Sequence, residues 1–311
     1  MHVSELNRIS NSRMVKGIAT ALLGALLWGF SGACAQIVLS EYGMSPFFVT
    51  VVRACIAAVI LIVFASFRYH SELKEIVACK QLRSCLVLFG IGLYLSQSTF
   101  AISVAYTNAG TATVLQSLAT VFVMGIACVS ARRLPKAFEA LGLLFALAST
   151  WLIATQGDPT QFAIDPAGLL WGIINALSVT LYIMIPRKLY DRWPSIPVIA
   201  CGLCIAAVVA ALLFGGECLI TGRMVIPALD WYGAAVLIVG IGALGTACAF
   251  AMYLYGVAIV GSVRGSLLGT AEPASAMVLT ACWLGTAVSG ADWLGLIFMV
   301  VMVVLVTRQS S

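Results

Sequence analysis

Charge is what this chain has least of. Charged residues make up 9% of its 311 positions, against roughly a quarter in an ordinary soluble domain. So few charges cannot cover a water-facing exterior, and with 62% hydrophobic residues the exterior is expected to face lipid. Histidine is nearly missing as well. Only His2 and His70 occur, both outside the apolar stretches, so no histidine dyad or metal cluster can form within them. There is no glycine-rich phosphate loop, which argues against ATP-driven work by this chain. No dense ring of acids suggests an ion-selective pore. Low-complexity tracts, long linkers and a soluble domain are all absent. These absences point away from an enzyme, a cofactor and a metal centre.

The ten cysteines fall mostly in apolar runs, where a free thiol behaves as a small hydrophobe. Cys201-Gly-Leu-Cys204 matches C-x-x-C inside such a run, so neither a redox nor a metal role is expected there. Cys218 is expected in a loop, with no partner and no disulfide framework.

Apolar runs fill the chain instead. Ten are long enough for a hydrocarbon core of about 30 Å, at 17–39, 46–67, 85–106, 109–130, 136–155, 167–190, 194–214, 231–257, 262–283 and 291–307. The basic residues give the orientation. With the N-terminus inside, 15 of the 17 lysines and arginines lie inside or at the inner ends of spans. Arg223 falls in an outer loop and Arg53 within a span, while Glu41, Asp158, Asp165, Glu217, Asp230 and Asp292 fall outside. The net charge of +5 is thus a topology signal and not a nucleic-acid footprint. Both termini are expected in the cytoplasm. The segment 68–84 is expected to be a basic connecting loop, with a short amphipathic helix as the other reading.

The runs also repeat. Leu141, Gly142, Leu143 and Phe145 return as Leu294, Gly295, Leu296 and Phe298, a constant shift of 153. GALLWG at 24–29 returns as AGLLWG at 167–172, a shift of 143. Each copy holds five spans, so residues 17–155 and 167–307 are expected to enter the membrane from opposite sides. The fold class is therefore an all-α integral membrane protein of ten transmembrane helices in two inverted five-helix repeats. Secondary transporters are often built this way.

A few polar residues interrupt the spans. Glu272 is expected near the middle of the ninth, followed by Pro273. A charge there costs roughly 2.5–3.5 kcal/mol on insertion scales, so the carboxyl must be protonated, paired or wet. It either contacts a cationic group or coupling proton, or bonds to a neighbouring helix. Arg53 either meets a substrate carboxylate or ties helices together. Trp28 and Gln36 share the first span, Tyr94 and Gln97 the third, and Gln116 lies in the fourth. Trp171, Asn175, Ser178 and Tyr182 fall on one face of the sixth, and Thr246 and Tyr253 on one face of the eighth. As a set they suggest a polar-lined path; each alone is equally an interhelical hydrogen bond.

The runs GALLWGFSGACAQIVLSEYGMSPFFVTVVRA, NAGTATVLQ and LLGTAEPASAMVLTACWLG, with the following DWLGLIFMVV, resemble the EamA family of the drug/metabolite transporter superfamily. The resemblance covers nearly the whole chain and is similar to that of bacterial inner-membrane members. It implies alternating-access movement of small metabolites, and matches Trp28-Gly29, Arg53 and Glu272-Pro273 to family positions. Where the fourth helix of the family usually has a proline this chain has Thr120, so that helix is expected to be straighter.

The expectation is a secondary transporter of the bacterial cytoplasmic (inner) membrane, directed to efflux of an amino acid or related polar metabolite, with a possible coupling proton or ion. Its expected partners are a small-molecule substrate and the lipid bilayer. Substrate-binding candidates are Trp28, Gln36, Arg53, Tyr94, Gln97, Gln116, Trp171, Asn175, Tyr253 and Glu272. A lipid or lipid-linked metabolite translocase and a multidrug or cation exporter stay open as alternatives.

Overall fold

A computed structural model describes residues 2–130, 132–134, 137–158, 164–222, 228–260, 268–269 and 271–308. Lys136, Pro159, Arg223, Arg264 and most of the first half of the expected ninth span lie outside the described residues. Among the described residues all regular structure is helical.

The helices are α1 (His2–Ser40), α2 (Pro46–Arg68), α3 (His70–Ala78), α4 (Arg83–Tyr106), α5 (Ala109–Gln116), α6 (Ala119–Ser130) and α7 (Ala137–Thr155). There follow α8 (Pro166–Met184), α9 (Arg187–Tyr190), α10 (Ser195–Thr221), α11 (Trp231–Ala235), α12 (Ala249–Val260), α13 (Ala271–Cys282) and α14 (Gly290–Arg308). A π-helical stretch, Val236–Cys248, joins α11 to α12 in one rod. Among the described residues, seven helical stretches are long and apolar enough to cross a membrane: 13–40, 46–68, 80–106, 109–130, 166–190, 195–220 and 231–257. Two shorter apolar helices, Ala140–Ile153 and Gly290–Met302, accompany them. Large apolar side chains such as Val63, Phe67, Leu144, Val208 and Leu212 stand exposed on their outer faces, as lipid-facing residues would.

Local chemistry fixes the helix ends. Ser45 caps α2 by accepting from Phe47 N at 3.2 Å, with Pro46 in the first turn, where no amide hydrogen is missed. Asp165 and Pro166 repeat that arrangement at α8, the aspartate accepting from Ala167 N at 2.8 Å. Asn108 caps α5 through Thr111 N, and Asp230 caps α11 through Gly233 N. Within the spans, hydroxyls such as Thr50, Ser66 and Thr99 donate to the carbonyl four residues back, so their polar hydrogens are satisfied without water.

The helices pack in pairs: α1 with α12 and the π stretch, α4 with α8, α2 with α10, and α7 with α14. In lipid, such pairs gain from close backbone approach more than from apolar burial. Gly256 has the backbone of Ala21 where a Cβ would stand, and Gly24 has that of Tyr253. In the α7–α14 pair, Phe145 meets Phe298 edge to face at 5.3 Å, and Ser149 Oγ donates to Gly295 O at 2.6 Å.

Three expectations change. The segment after α2 forms the helix α3, held by buried Ile76 and by Trp193 Nε1 donating to Glu75 Oε2 at 3.1 Å. The fourth span breaks between α5 and α6 despite having no proline. There Leu118 N, Thr120 N and Val121 N each reach back only three residues, a tightening of 3₁₀ type. Finally, α10 runs on to Thr221, ended by Gly222 at φ +63°, so Glu217 and Cys218 lie on a helix and not in a loop.

Candidate functional site

The break in the fourth span brings polar side chains together. Gln116 ends α5, and its Nε2 donates to Glu272 Oε1 at 2.9 Å. Glu272 is the second residue of α13, in its first turn. Pro273 shares that turn, where its missing amide hydrogen has no partner to lose within the helix. Gly29 lets α1 press onto this turn: a Cβ there would stand 2.6 Å from Glu272 O and 2.7 Å from Ala276 N. Trp28 is thereby held beside Glu272, with its ring against Phe250 at 5.0 Å and Tyr253 at 4.7 Å.

Trp28, Gln116, Phe250 and Glu272 line a cavity of about 60 Å³ together with Ser31, Arg53, Ser96, Gln97, Phe100, Val179 and Tyr182. That is room for a handful of waters. Arg53, 6% exposed, donates from Nε to Thr246 Oγ1 at 3.3 Å. Arg53 and Glu272 both line the cavity. Gln97 is 4% exposed, and both ends of its amide lack a hydrogen-bond partner, as does Ser31 Oγ. A buried amide left unpaired costs about 1–3 kcal/mol, so three such atoms around one cavity mark a place for water or a polar ligand. Among the described residues no group of three or more His, Cys, Asp and Glu side chains is placed to hold a metal.

Of the ten sequence candidates, Trp28, Arg53, Gln97, Gln116 and Glu272 line this cavity. Tyr253 stands behind Trp28. Tyr94 is buried in the cluster between α4 and the α2–α10 pair. Asn175 ties α8 to α4, its Nδ2 donating to Ser96 O at 2.6 Å and Thr99 Oγ1 at 3.1 Å. Gln36 bridges α1 to Ala109 N and Thr286 Oγ1, each at 2.9 Å. Trp171, half-buried on α8, is not among the lining residues. Ser31 and Phe100 were missed, although they follow Trp28 and Gln97 by three residues on the same helix faces.

A bundle of membrane-length apolar helices around a cavity holding an arginine, a glutamate and unpaired amides has the build of a multi-pass membrane transporter. More particularly, the chain belongs to the EamA-like transporter family, whose model matches residues 15–155 and again 166–308. It is 29% identical, over 95% of its length and 96% of the relative's, to the uncharacterised inner membrane transporter YicL of Salmonella typhimurium. An uncharacterised transporter of Clostridium kluyveri is 24% identical over 93% of this chain and 92% of that one. A crystal structure at 20% identity superposes with a TM-score of 0.60 over 96% of this chain and 98% of that chain, a likeness of fold.

Proposed function

We propose that the protein is a secondary transporter of the bacterial cytoplasmic membrane that exports a small zwitterionic or polar metabolite. Two inverted five-helix halves, residues 17–155 and 167–307, would rock about the central cavity. The observation that carries this reading is the unpartnered Gln97 amide, with Ser31 Oγ, in a cavity shared by Arg53 and Glu272. A substrate carboxylate suits the guanidinium, an amino group suits Glu272 beside the Trp28 ring, and the amide supplies both a donor and acceptor. Glu272 exchanges a coupling proton for the substrate's cationic group. The inner face is the one bearing Arg68, Lys74, Lys80, Arg83, Arg132, Arg133, Lys188 and Arg192, which keeps both termini cytoplasmic.

The packing supports the two-repeat part. Under the sequence shifts, α1 with α12 exchanges for α4 with α8, while α2–α10 and α7–α14 each exchange onto themselves. The interruption between α5 and α6 follows directly on Gln116, at the central cavity. Discontinuous helices at a repeat interface are where such transporters hold their substrates. The cavity is contracted, so a substrate must be admitted by relative movement of helices.

The test is a thermal-shift screen of purified protein against amino acids, nucleosides, polyamines and cationic drugs, at two pH values. A ligand at 100 times its Kd adds about 2.7 kcal/mol to the native state. The hit should disappear in Gln97→Leu and Glu272→Gln variants that still fold. No hit in any class, or hits indifferent to both substitutions, would sink the assignment.

A further inference from the structure

A second cavity, of about 250 Å³, lies toward the end of the bundle where α1 finishes and α5, α8 and α14 begin. Its walls include Tyr106, Thr107, Asn108, Thr111, Ala287 and Asp292. The central cavity approaches it along the same helices. Ser31 and Phe100 line the central one, while Gln36 lies five residues beyond Ser31 and Tyr106 six beyond Phe100. At about 1.5 Å per residue, the partition is about 9 Å thick along α4 between Phe100 and Tyr106, which line one cavity each.

That partition is thin and has a particular composition. Gly32 leaves room for Ala109 and the Phe100 ring to close up against α1, each 3.5 Å from where a Cβ would stand. Beyond them Gln36 uses both ends of its amide. Its Oε1 accepts from Ala109 N in the first turn of α5, and its Nε2 donates to Thr286 Oγ1 in the connection before α14. Residues flanking both partners, Asn108 and Ala287, face the second cavity. One side chain on α1 therefore fastens two other segments in the wall between the cavities.

We infer that the second cavity is the outer vestibule of the transport path and that Gln36 is its gate, closed here on Ala109 and Thr286. The inference rests on the transport reading above. Opening requires α1 to part from α5 and from the 283–289 connection, which breaks both bonds of the amide. The latch is uncharged, so it opens without stranding an ion in the membrane, and Gln36 is free to bond to a passing polar solute. A second tie on the same helix end, Tyr42 Oη to Asp230 Oδ1 at 2.6 Å, borders neither cavity. It holds α1 to α11 and supplies a control.

The experiment places a cysteine in the central cavity, Ser96→Cys, and applies a membrane-impermeant thiol reagent from either side of sealed vesicles. Modification at residue 96 is read by mass spectrometry. From the face bearing Tyr42 and Asp230, Gln36→Ala and Thr286→Val should each speed labelling tenfold or more, with no change from the opposite face. Tyr42→Phe should leave the rate alone. Unchanged labelling in both latch variants overturns the gate, as does an equal acceleration in Tyr42→Phe, which would mean general loosening. No substrate is needed for this readout. A failed gate with ligand shifts intact leaves the transport reading standing, and an absence of any ligand shift fails that reading separately.

Discussion

Replacing Gly29 with alanine tests the link between the Trp28-Gly29 and Glu272-Pro273 sequences. The new methyl would fall within contact of Ser275 Oγ, 2.6 Å from Glu272 O and 2.7 Å from Ala276 N. The serine hydroxyl can turn away, at the loss of its bond to Glu272 O, but the other two atoms are main chain. They move only if α13 moves. Overpacking of this kind costs about 1–3 kcal/mol, against a gain of up to ~1 kcal/mol from alanine's better helix propensity. Gly125, on α6, is the comparison, because a Cβ there meets nothing within 4 Å. Gly125→Ala should therefore stabilise by up to ~1 kcal/mol, and because that gain is common to both variants they should differ by the overpacking cost, roughly 1–3 kcal/mol. At ~2–4 °C per kcal/mol for a larger chain, that is about 2–12 °C in Tm. Thermal unfolding of both proteins in one detergent reads it directly. A Gly29→Ala protein that melts at or above Gly125→Ala would refute the close contact and with it the account of how Trp28 is held beside Glu272.

Other substitutions have equally defined outcomes. Gln97→Leu removes an unpaired buried amide, so it should raise stability by about 1 kcal/mol while abolishing ligand-induced shifts; a stability loss would mean that the amide is satisfied. Asn175→Leu breaks the bonds to Ser96 O and Thr99 Oγ1, a loss of about 1 kcal/mol at ~0.6 each, but also removes the unpaired Oδ1. Chemical denaturation should therefore show a net change under about 1 kcal/mol, and a larger loss would mean that Oδ1 is satisfied. A double-mutant cycle on Phe145 and Phe298 should return a coupling of about 0.5–1.5 kcal/mol, and a zero value would remove the α7–α14 ring contact. The Tyr42–Asp230 tie should depend on pH at both extremes. Its bond to Tyr42 holds the Asp230 carboxyl below its usual range, so that contribution is lost as pH falls through the lowered folded value. The same bond pushes the Tyr42 hydroxyl up to about 12, so the contribution is complete below the ordinary tyrosine value near 10 and is lost as pH rises through about 12. The Tm difference between the parent and Tyr42→Phe should be flat through neutral pH and shrink on both sides; a constant difference would exclude ionisation of the pair.

What the sequence made legible follows from contrast. An arginine, a glutamate or a glutamine stands out in an apolar run, and Arg53, Gln97, Gln116 and Glu272 do line one cavity. Phe100, Val179 and Phe250 line it too, but an apolar residue facing a cavity looks the same in sequence as one facing lipid. The amides of Gln36 and Asn175 were equally visible, yet their work depends on partners far along the chain, at Thr286 and Ser96. Periodicity along one helix cannot supply those. The interruption at Ser117–Leu118 has neither proline nor glycine to announce it. The long π stretch on the eighth span has Thr246 Oγ1 donating five residues back to Ile241 O, a register that no local residue preference encodes.

The Phe145–Phe298 contact carries a consequence for ancestry. On the two-repeat reading these rings are counterparts, 153 positions apart, and they touch. A residue that meets its own counterpart lies on the axis that exchanges the halves. In a chain half as long, assembled as a homodimer, that contact would be isologous, and every substitution there would be made twice. Fusion into one chain lifts that restriction. Ser149 donates to Gly295 O, whereas the corresponding position of the second half is Met302, which has no hydroxyl to offer Gly142. On the two-repeat reading, one side of this interface differs in chemistry from the other, a freedom no symmetric dimer has.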